Sequence, residues 1–353
     1  MKKKIALALS GGADSGLAAY ILKKKGWQVT GFTLKLYSGC NDQGVIQAKR
    51  ICDFLKINHH TLDIQDLFKK QVVNYFIKSY LEGLTPNPCT FCNLRIKFGF
   101  LLDKVKAMGN DCLATGHYAR LVKKNSSILI RQAKDKKKSQ EYFFALVPQK
   151  VFNNVVFPLG ELTKQEVKTM GIEQKIFRSF QKESQDVCFV KNSCYSEFIE
   201  ANVIDSYQYT GDILHVSGKK IGRHMGIYRY TYGQRAGLGI SWPKPLYVVD
   251  INPRNKVIIV GEREFLYTDS FIVNSVNWFF DPAEANHITV RLRYNSSTYN
   301  CKIKAEGLQT AVFLDKMVEA VTPGQIAAFY VGDFLLGGGI IARKDVTSVC
   351  KPN

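Results

Sequence analysis

The sequence has no run of about 18 apolar residues, the length a membrane-crossing helix needs, so no membrane span is forecast. Nor does its start read as a secretory leader. Met1-Lys2-Lys3-Lys4 has the charge of one, but only five apolar residues, Ile5–Leu9, precede Ser10-Gly11-Gly12, too few for an apolar h-region. The expectation is a cytoplasmic protein. The nine cysteines (Cys40, Cys52, Cys89, Cys92, Cys112, Cys188, Cys194, Cys301 and Cys350) are odd in number and scattered. That argues against a disulfide framework, leaving reduced thiols of which any special one is catalytic or metal-binding. Cys89 and Cys92 form a CxxC with no second CxxC to complete a zinc ligand set. The first glycine loop has no Lys before a Ser or Thr, so it is not a Walker A loop. No repeat or low-complexity tract stands out.

What is present suits a two- or three-domain globular protein: 353 residues, 46% of them hydrophobic. The net charge of +19 is unevenly spread. Residues 1–195 hold 32 Lys/Arg against 15 Asp/Glu, a balance of +17, whereas residues 196–353 hold 17 against 15, a balance of +2. Arg120, Lys123, Lys124, Arg131, Lys134, Lys136, Lys137 and Lys138 are opposed locally only by Asp135. Such a stretch is either a solvated face or a patch for a polyanion, with nucleic acid the first choice.

The first hundred residues alternate strand and helix patterns. Ile5–Leu9, Val29–Leu34, His59–Ile64 and Cys112–Thr115 read as strands, and 16–25, 45–55, 66–81 and 94–108 as helices. This implies an α/β domain with a doubly wound parallel sheet, whose ligands sit at the carboxyl ends of the strands. Ser10-Gly11-Gly12 and Gly116-His117 both fall there. After about residue 200, short β-like runs take over: 212–216, 246–251, 256–260, 289–293, 301–305, 311–314 and 326–330. The expected domains are 1–200, a small β-rich module at 201–265 and a β-barrel at 266–353.

Two segments carry chemistry. Ser10-Gly11-Gly12-Ala13-Asp14-Ser15-Gly16 follows the first strand directly; its glycines let backbone N–H groups close on an anion at a helix start. Residues 85–98 read Thr-Pro-Asn-Pro-Cys-Thr-Phe-Cys-Asn-Leu-Arg-Ile-Lys-Phe. Pro86 and Pro88 argue for an extended loop around Cys89, with a helix beginning close to Cys92. A thiol at a helix start near Arg95 and Lys97 is expected to have a lowered pKa.

The first segment resembles the SGGxDS loop of the PP-loop ATP pyrophosphatases. The second resembles the TPNPxxxCNxxIKF signature of the tRNA-specific 2-thiouridylases. Further segments resemble that family in its own order: Ala114-Thr115-Gly116-His117-Tyr118, Ser139-Gln140-Glu141-Tyr142-Phe143, Ser184-Gln185-Asp186-Val187-Cys188-Phe189, Gly233–Gly239, Val321–Gln325 and Gly337–Ile340. The resemblance implies an enzyme that uses ATP and Mg2+ to adenylate C2 of the wobble uridine in a tRNA anticodon loop. Sulfur then replaces that oxygen, giving 2-thiouridine. It implies an ATP site at Ala8, Leu9, Ser10, Gly11, Gly12, Ala13, Asp14 and Ser15, completed by Leu34 and Gly116. Cys188 matches the persulfide carrier and Cys92 its partner nucleophile. Pro88, Cys89 and Thr90 match the stretch beside the target base. His117, Lys138, Ser139, Gln140, Arg293, Tyr294 and Gln325 match positions that touch tRNA. A sulfur-donor protein, such as a cysteine desulfurase or sulfur relay protein, is the implied partner.

Cys89 departs from the family, which often has Asp there. The change creates a trio, Cys89, Cys92 and Cys188, so an iron–sulfur cluster held by the three stands as the alternative to persulfide transfer. Two rivals remain: another PP-loop enzyme, such as an amidotransferase or a synthetase of the argininosuccinate type, which shares the loop but does not need cysteines spaced as here, and a non-catalytic RNA-binding protein with a relic nucleotide fold.

Overall fold

The computed structural model describes residues 3–37, 42–124, 127–177, 187–190, 194–203, 205 and 207–343. Met1, Lys2, Cys40, Ser184-Gln185-Asp186, Cys350 and the rest of the last ten residues lie outside the described residues.

The first sheet is parallel, in the order β3-β2-β1-β4-β7, built from β1 (Lys4–Ala8), β2 (Gln28–Lys35), β3 (Asn58–Asp63), β4 (Cys112–Thr115) and β7 (Val155–Val156). Ile5, Ala6 and Leu7 in β1 are wholly buried, as a central strand covered on both faces requires. Helix α1 (Ala13–Lys24) follows β1 and buries Leu17, Ala18, Ala19, Ile21 and Leu22 against the sheet. Helix α2 (Asp42–Leu55) adds Ala48, Ile51, Cys52 and Leu55 to the same core. The strand order reverses at β1, whose neighbours are β2 and β4, and the loop after β1 opens at that crevice.

A second sheet, β10-β11-β8-β9, comprises β8 (Gly211–His215), β9 (Lys220–His224), β10 (Tyr247–Asn252) and β11 (Val257–Gly261) around Ile213, Val248, Ile258 and Val260. The third is a closed barrel of β12 (Tyr267–Trp278), β13 (Ile288–Arg291), β14 (Thr298–Glu306), β15 (Gln309–Glu319), β16 (Ile326–Val331) and β17 (Phe334–Ile341). Strands run in the order β12-β15-β14-β13-β16-β17, and β12 pairs back onto β17. The expected fold class, a doubly wound sheet followed by β-rich modules ending in a barrel, is borne out. Among the described residues, no helix is long and apolar enough to cross a membrane.

One part of the basic stretch is redirected. Strands β5 (Ala119–Lys124) and β6 (Ser127–Gln132) form a hairpin that leaves the parallel sheet and pairs with β17, Phe334 opposite Arg131. Asp135 is therefore not the only opposing charge. Arg131 and Lys136 reach Asp333, Lys134 reaches Glu166 and Arg120 faces Glu161. Folding supplies carboxylates from more than 25 residues away, which a local charge count misses.

The parallel-sheet domain and the barrel share a buried ion pair. Glu141, wholly buried, accepts from Arg291 of β13 at 3.3 Å, from Tyr330 of β16 at 3.1 Å and from Ser139. Tyr142 donates to the Ile326 carbonyl at 2.9 Å. A buried carboxylate with one partner removed costs about 3–5 kcal/mol, so this network holds the barrel in one orientation against the parallel-sheet domain.

Candidate active site

The loop after β1 is built by its own hydroxyls. Ser15 Oγ donates to the Gly12 carbonyl at 3.0 Å and accepts from Ser10 N at 3.2 Å, while Gly12 N donates to Ser10 Oγ at 3.3 Å. Gly11 has φ +81°, and a Cβ there would stand 2.3 Å from the Gly44 carbonyl oxygen, so both backbone strain and space demand glycine. Gly116, the residue after β4, lies against this turn: a Cβ would meet Ser15 N at 3.0 Å. Leu9 bonds to Phe32 across the sheet, and Thr33 Oγ1 donates to the Leu9 carbonyl at 2.8 Å. Ala8 and Ala13 flank the turn on β1 and α1, and Leu34 on β2 packs between two core clusters.

Asp14 points from the start of α1 into a basic grip. Lys164 Nζ donates to both carboxylate oxygens, at 2.8 and 2.7 Å, and Tyr118 Oη donates to Oδ1 at 2.7 Å. The pair is partly shielded, with side-chain exposures of 16% for Lys164 and 33% for Asp14. Sequence reasoning missed Lys164, which lies 150 residues from Asp14. A signal was available: Thr163 and Glu166 form a capping box that starts the helix Lys164–Glu173 and aims its first residue at the loop. Gln140 supports the same arrangement, its Oε1 accepting from Tyr118 N at 2.9 Å.

The thiols lie along a second element. Contrary to the extended-loop expectation, a helix begins at Pro88, with Asn87 as its cap accepting from Thr90 N at 3.2 Å. Proline is favoured at the first helical position because its missing N–H is one the helix leaves unpaired anyway. Cys89 thus sits inside the first turn, and Cys92 continues it into the stretch Cys92–Leu101. Cys89 is exposed and Cys92 half-buried.

The expected lowering of the Cys92 pKa does not hold. Burial raises it to about 11, outweighing Lys97, which pulls down, while Cys89 adds to the rise. Protein atoms crowd the solvent-facing Cys89 thiol as well and raise its pKa, with Lys97 again opposing. Unassisted, both thiols are protonated at neutral pH.

Lys97 connects this helix to the nucleotide loop. Its Nζ lies 3.3 Å from His117 Nε2, and His117 Nδ1 lies 2.8 Å from Thr115 Oγ1. Burial, and then the Lys97 charge, hold the His117 pKa well below its usual value, so the ring is neutral. The sequence Ser15–Gly116–His117–Lys97–Cys92 therefore forms a path of neighbouring groups from the loop to the thiol.

Cys188 is exposed, on the segment 187–190. Phe189 and Val190 anchor that segment in the cluster that also holds Ile96 and, at its edge, Cys92; Phe189 meets Phe76 edge-on at 5.2 Å. The trio does not form a cluster site. Cys89 and Cys92 share one helical turn, Cys188 belongs to a separate exposed segment, and no three His, Cys, Asp or Glu side chains converge among the described residues. The iron–sulfur alternative finds no support in this donor geometry.

The positions matched to tRNA contact fall into two groups. Ser139 is buried, its Oγ accepting from Ala133 N at 2.7 Å and donating to Glu141, so its side chain already has partners. Gln325, Arg293 and Tyr294 brace the barrel rim. Gln325 Nε2 donates to the Thr85 carbonyl at 3.0 Å, Arg293 Nη2 donates to the Ala320 carbonyl at 3.1 Å, and Tyr294 packs on Phe143 at 4.4 Å. The barrel thereby clamps the Thr-Pro-Asn-Pro turn. Pro88 and Thr90 are buried beneath the exposed Cys89, and Lys138 lies in the turn just past Asp135.

Residues 3–192 match a domain family described as the tRNA methyl transferase HUP domain, residues 196–262 its PRC-barrel domain, and residues 268–341 an aminomethyltransferase β-barrel domain. The tRNA-specific 2-thiouridylase MnmA of Persephonella marina is 39% identical over 355 residues, covering 96% of this chain and 99% of that protein. That of a Hydrogenobaculum species is 41% identical over 350 residues, covering 96% and 99%.

The chain belongs to the tRNA-specific 2-thiouridylase family. A third member, from Syntrophotalea carbinolica, is 39% identical over 350 residues with the same coverage. In this thiouridylase the basic run Lys136-Lys137-Lys138 is testable as an RNA contact. Replacing all three with alanine should flatten the salt dependence of tRNA binding, lowering the log–log slope by about 2 to 3, because each phosphate contact releases counterions. An unchanged slope would make the run a solvated face, with Lys136 serving only Asp333.

Proposed function

We propose that the chain is an ATP-dependent tRNA-uridine 2-sulfurtransferase acting on C2 of the wobble uridine. The observation that carries this reading is the path of neighbouring groups from the Ser15 turn through Gly116, His117 and Lys97 to Cys92. It supports a reading in which the loop and the thiol act on one substrate.

In this reading the Ser10–Ser15 turn and the start of α1 hold the pyrophosphate end of ATP. The uridine C2 oxygen attacks the α-phosphorus, the bond to the β-phosphate breaks, and pyrophosphate leaves. Activation is needed because an unmodified carbonyl oxygen is a poor leaving group. Cys188, exposed to a sulfur-donor protein, carries the incoming sulfur as a persulfide. Its terminal sulfur attacks C2, and AMP leaves with the electron pair. Cys92 then attacks Cys188 Sγ, releasing 2-thiouridine and leaving a Cys92–Cys188 disulfide. The target base flips out of the anticodon loop to reach this site, at a cost kept small by its weak stacking there. Thr90 Oγ1 and Asn93 Oδ1, buried and without partners among the described residues, are acceptors suited to the N3–H edge of that base.

Magnesium fits the residues present. It is normally held by one or two carboxylates together with substrate phosphates, and Asp14 is such a carboxylate at the phosphate end of the loop. When bound, the ion would neutralise phosphate charge. Asp14 would hold it, and Lys164, displaced from Asp14, would be free to reach the phosphates.

The test is pyrophosphate release measured with and without unmodified tRNA, combined with nucleoside analysis of the product. The expected result is tRNA-stimulated release and, with a persulfide donor, 2-thiouridine. Equal release without tRNA, or no thiolated nucleoside, overturns the proposal.

A further inference from the structure

We infer that Cys89 is the resolving thiol of a local pair with Cys92, taking over the disulfide left by each sulfur transfer and freeing Cys188. This rests on the thiouridylase reading above and assigns work to the thiol one helical turn before Cys92, which that reading leaves unused.

The placement comes first. Cys89 is the second residue of the helical segment Pro88–Phe91, and Cys92 follows it with right-handed helical φ −60° and ψ −43°. Residues three apart in such a helix have Cα atoms about 5 Å apart. That lies within the roughly 4.4–6.8 Å span of disulfides. Their Cβ atoms must close by about 1 to 2 Å, from a helical spacing of about 5–6 Å. The first turn of a helix can make that adjustment because its N–H groups have no partners inside the helix. Pro88 has no N–H to lose, and the one cap bond goes to Thr90, not Cys89.

Exposure gives the two thiols different roles. Cys92 is half-buried, toward the path from the nucleotide loop, whereas Cys89 is exposed. The inner thiol suits contact with the base, and the outer one suits a reductant. Burial keeps both thiols protonated at rest, and Lys97, which opposes that effect at each, eases the proton loss that an attack requires. Cys188 stands on a different segment, and a lasting bond to Cys92 would keep it from the next sulfur donor.

The step is thiol–disulfide exchange. The Cys89 thiolate attacks Cys92 Sγ, and the Cys89–Cys92 bond forms as the Cys92–Cys188 bond breaks. The electron pair leaves on Cys188 Sγ, which takes up a proton in place of the one Cys89 gave to solvent. The oxidation state does not change overall. A dithiol reductant then returns the local pair to two thiols and is itself oxidised.

The experiment uses the full chain, loaded with persulfide, given ATP and unmodified tRNA, and held without reductant for one turnover. Free thiols are alkylated on quenching, and disulfides are mapped by peptide mass spectrometry. The expected result is a Cys89–Cys92 link with Cys188 alkylated. A Cys92–Cys188 link with Cys89 alkylated overturns the proposal. In C89S and C89A, the Cys92–Cys188 link should accumulate, and multiple turnover with a dithiol reductant should fall by about tenfold or more. An unchanged steady-state rate in both variants also overturns it. Failure of the wild-type chain to make 2-thiouridine in that first turnover would instead bring down the underlying reading, and the proposal with it.

Discussion

Asp14→Ala should abolish thiolation, with product formation falling by on the order of 10²–10³ or more, while tRNA affinity stays nearly unchanged. The carboxylate stands at the start of the first helix, held on two sides by Lys164 and Tyr118. In the proposed reading, removing it takes away the group that orients the metal–phosphate charge, and it leaves a shielded Lys164 without that partner. The barrel, proposed to contact tRNA, is joined to the parallel-sheet domain elsewhere, through Glu141 and Arg291 and through Gln325, so RNA binding should survive. Nucleoside mass spectrometry and filter binding on the same preparation separate the two effects. Normal product formation by this variant would remove the nucleotide-loop reading altogether.

The second large effect is a separation of steps. Cys188→Ser should still release pyrophosphate in a tRNA-dependent manner yet make no detectable 2-thiouridine. Activation precedes sulfur transfer, and Cys188 lies on an exposed segment remote in sequence from the loop that handles ATP. Serine has nearly the volume of cysteine, and the anchoring of the segment depends on Phe189 and Val190, so the fold should be unaffected. If this variant still thiolates with a persulfide donor, Cys188 is not the carrier. If it loses pyrophosphate release as well, the segment shapes the ATP site and the two steps are not independent.

Much of the fold was legible along the chain. Strand β4 starts and ends where its apolar run does, and β1, β2 and β3 lie within one residue of their runs at each end. In β1, β2 and β4 the run is short and mostly apolar and buried, a pattern that depends little on distant neighbours, whereas β3 is a polar, largely exposed edge strand. Strands β12 and β17 were not legible. Tyr267–Trp278 mixes exposed and buried polar residues along its length, and Phe334–Ile341 contains Gly337-Gly338-Gly339, which reads as a turn. The glycines serve closure instead: a Cβ at Gly338 would stand 2.7 Å from the Ala327 carbonyl, and one at Gly339 2.6 Å from the Asn274 carbonyl. At these two positions the close approach of the neighbouring backbone leaves no room for a side chain, and that crowding exists only in the closed barrel.

For the site, the sequence by itself determined the loop Ser10–Ser15, the Cys89–Cys92 spacing and the fold class, because each depends on residues adjacent in the chain. Tertiary structure decided what those groups do to one another. It put Lys164 on Asp14 across 150 residues, and Lys97 beside both His117 and the thiols. It also reversed the expected thiol acidity. Lys97 was visible in the sequence and does favour the thiolate, but the desolvation of Cys92 was not visible, and it is the larger effect. Burial is a property of the packed chain as a whole, so no local pattern of residues could have foretold it.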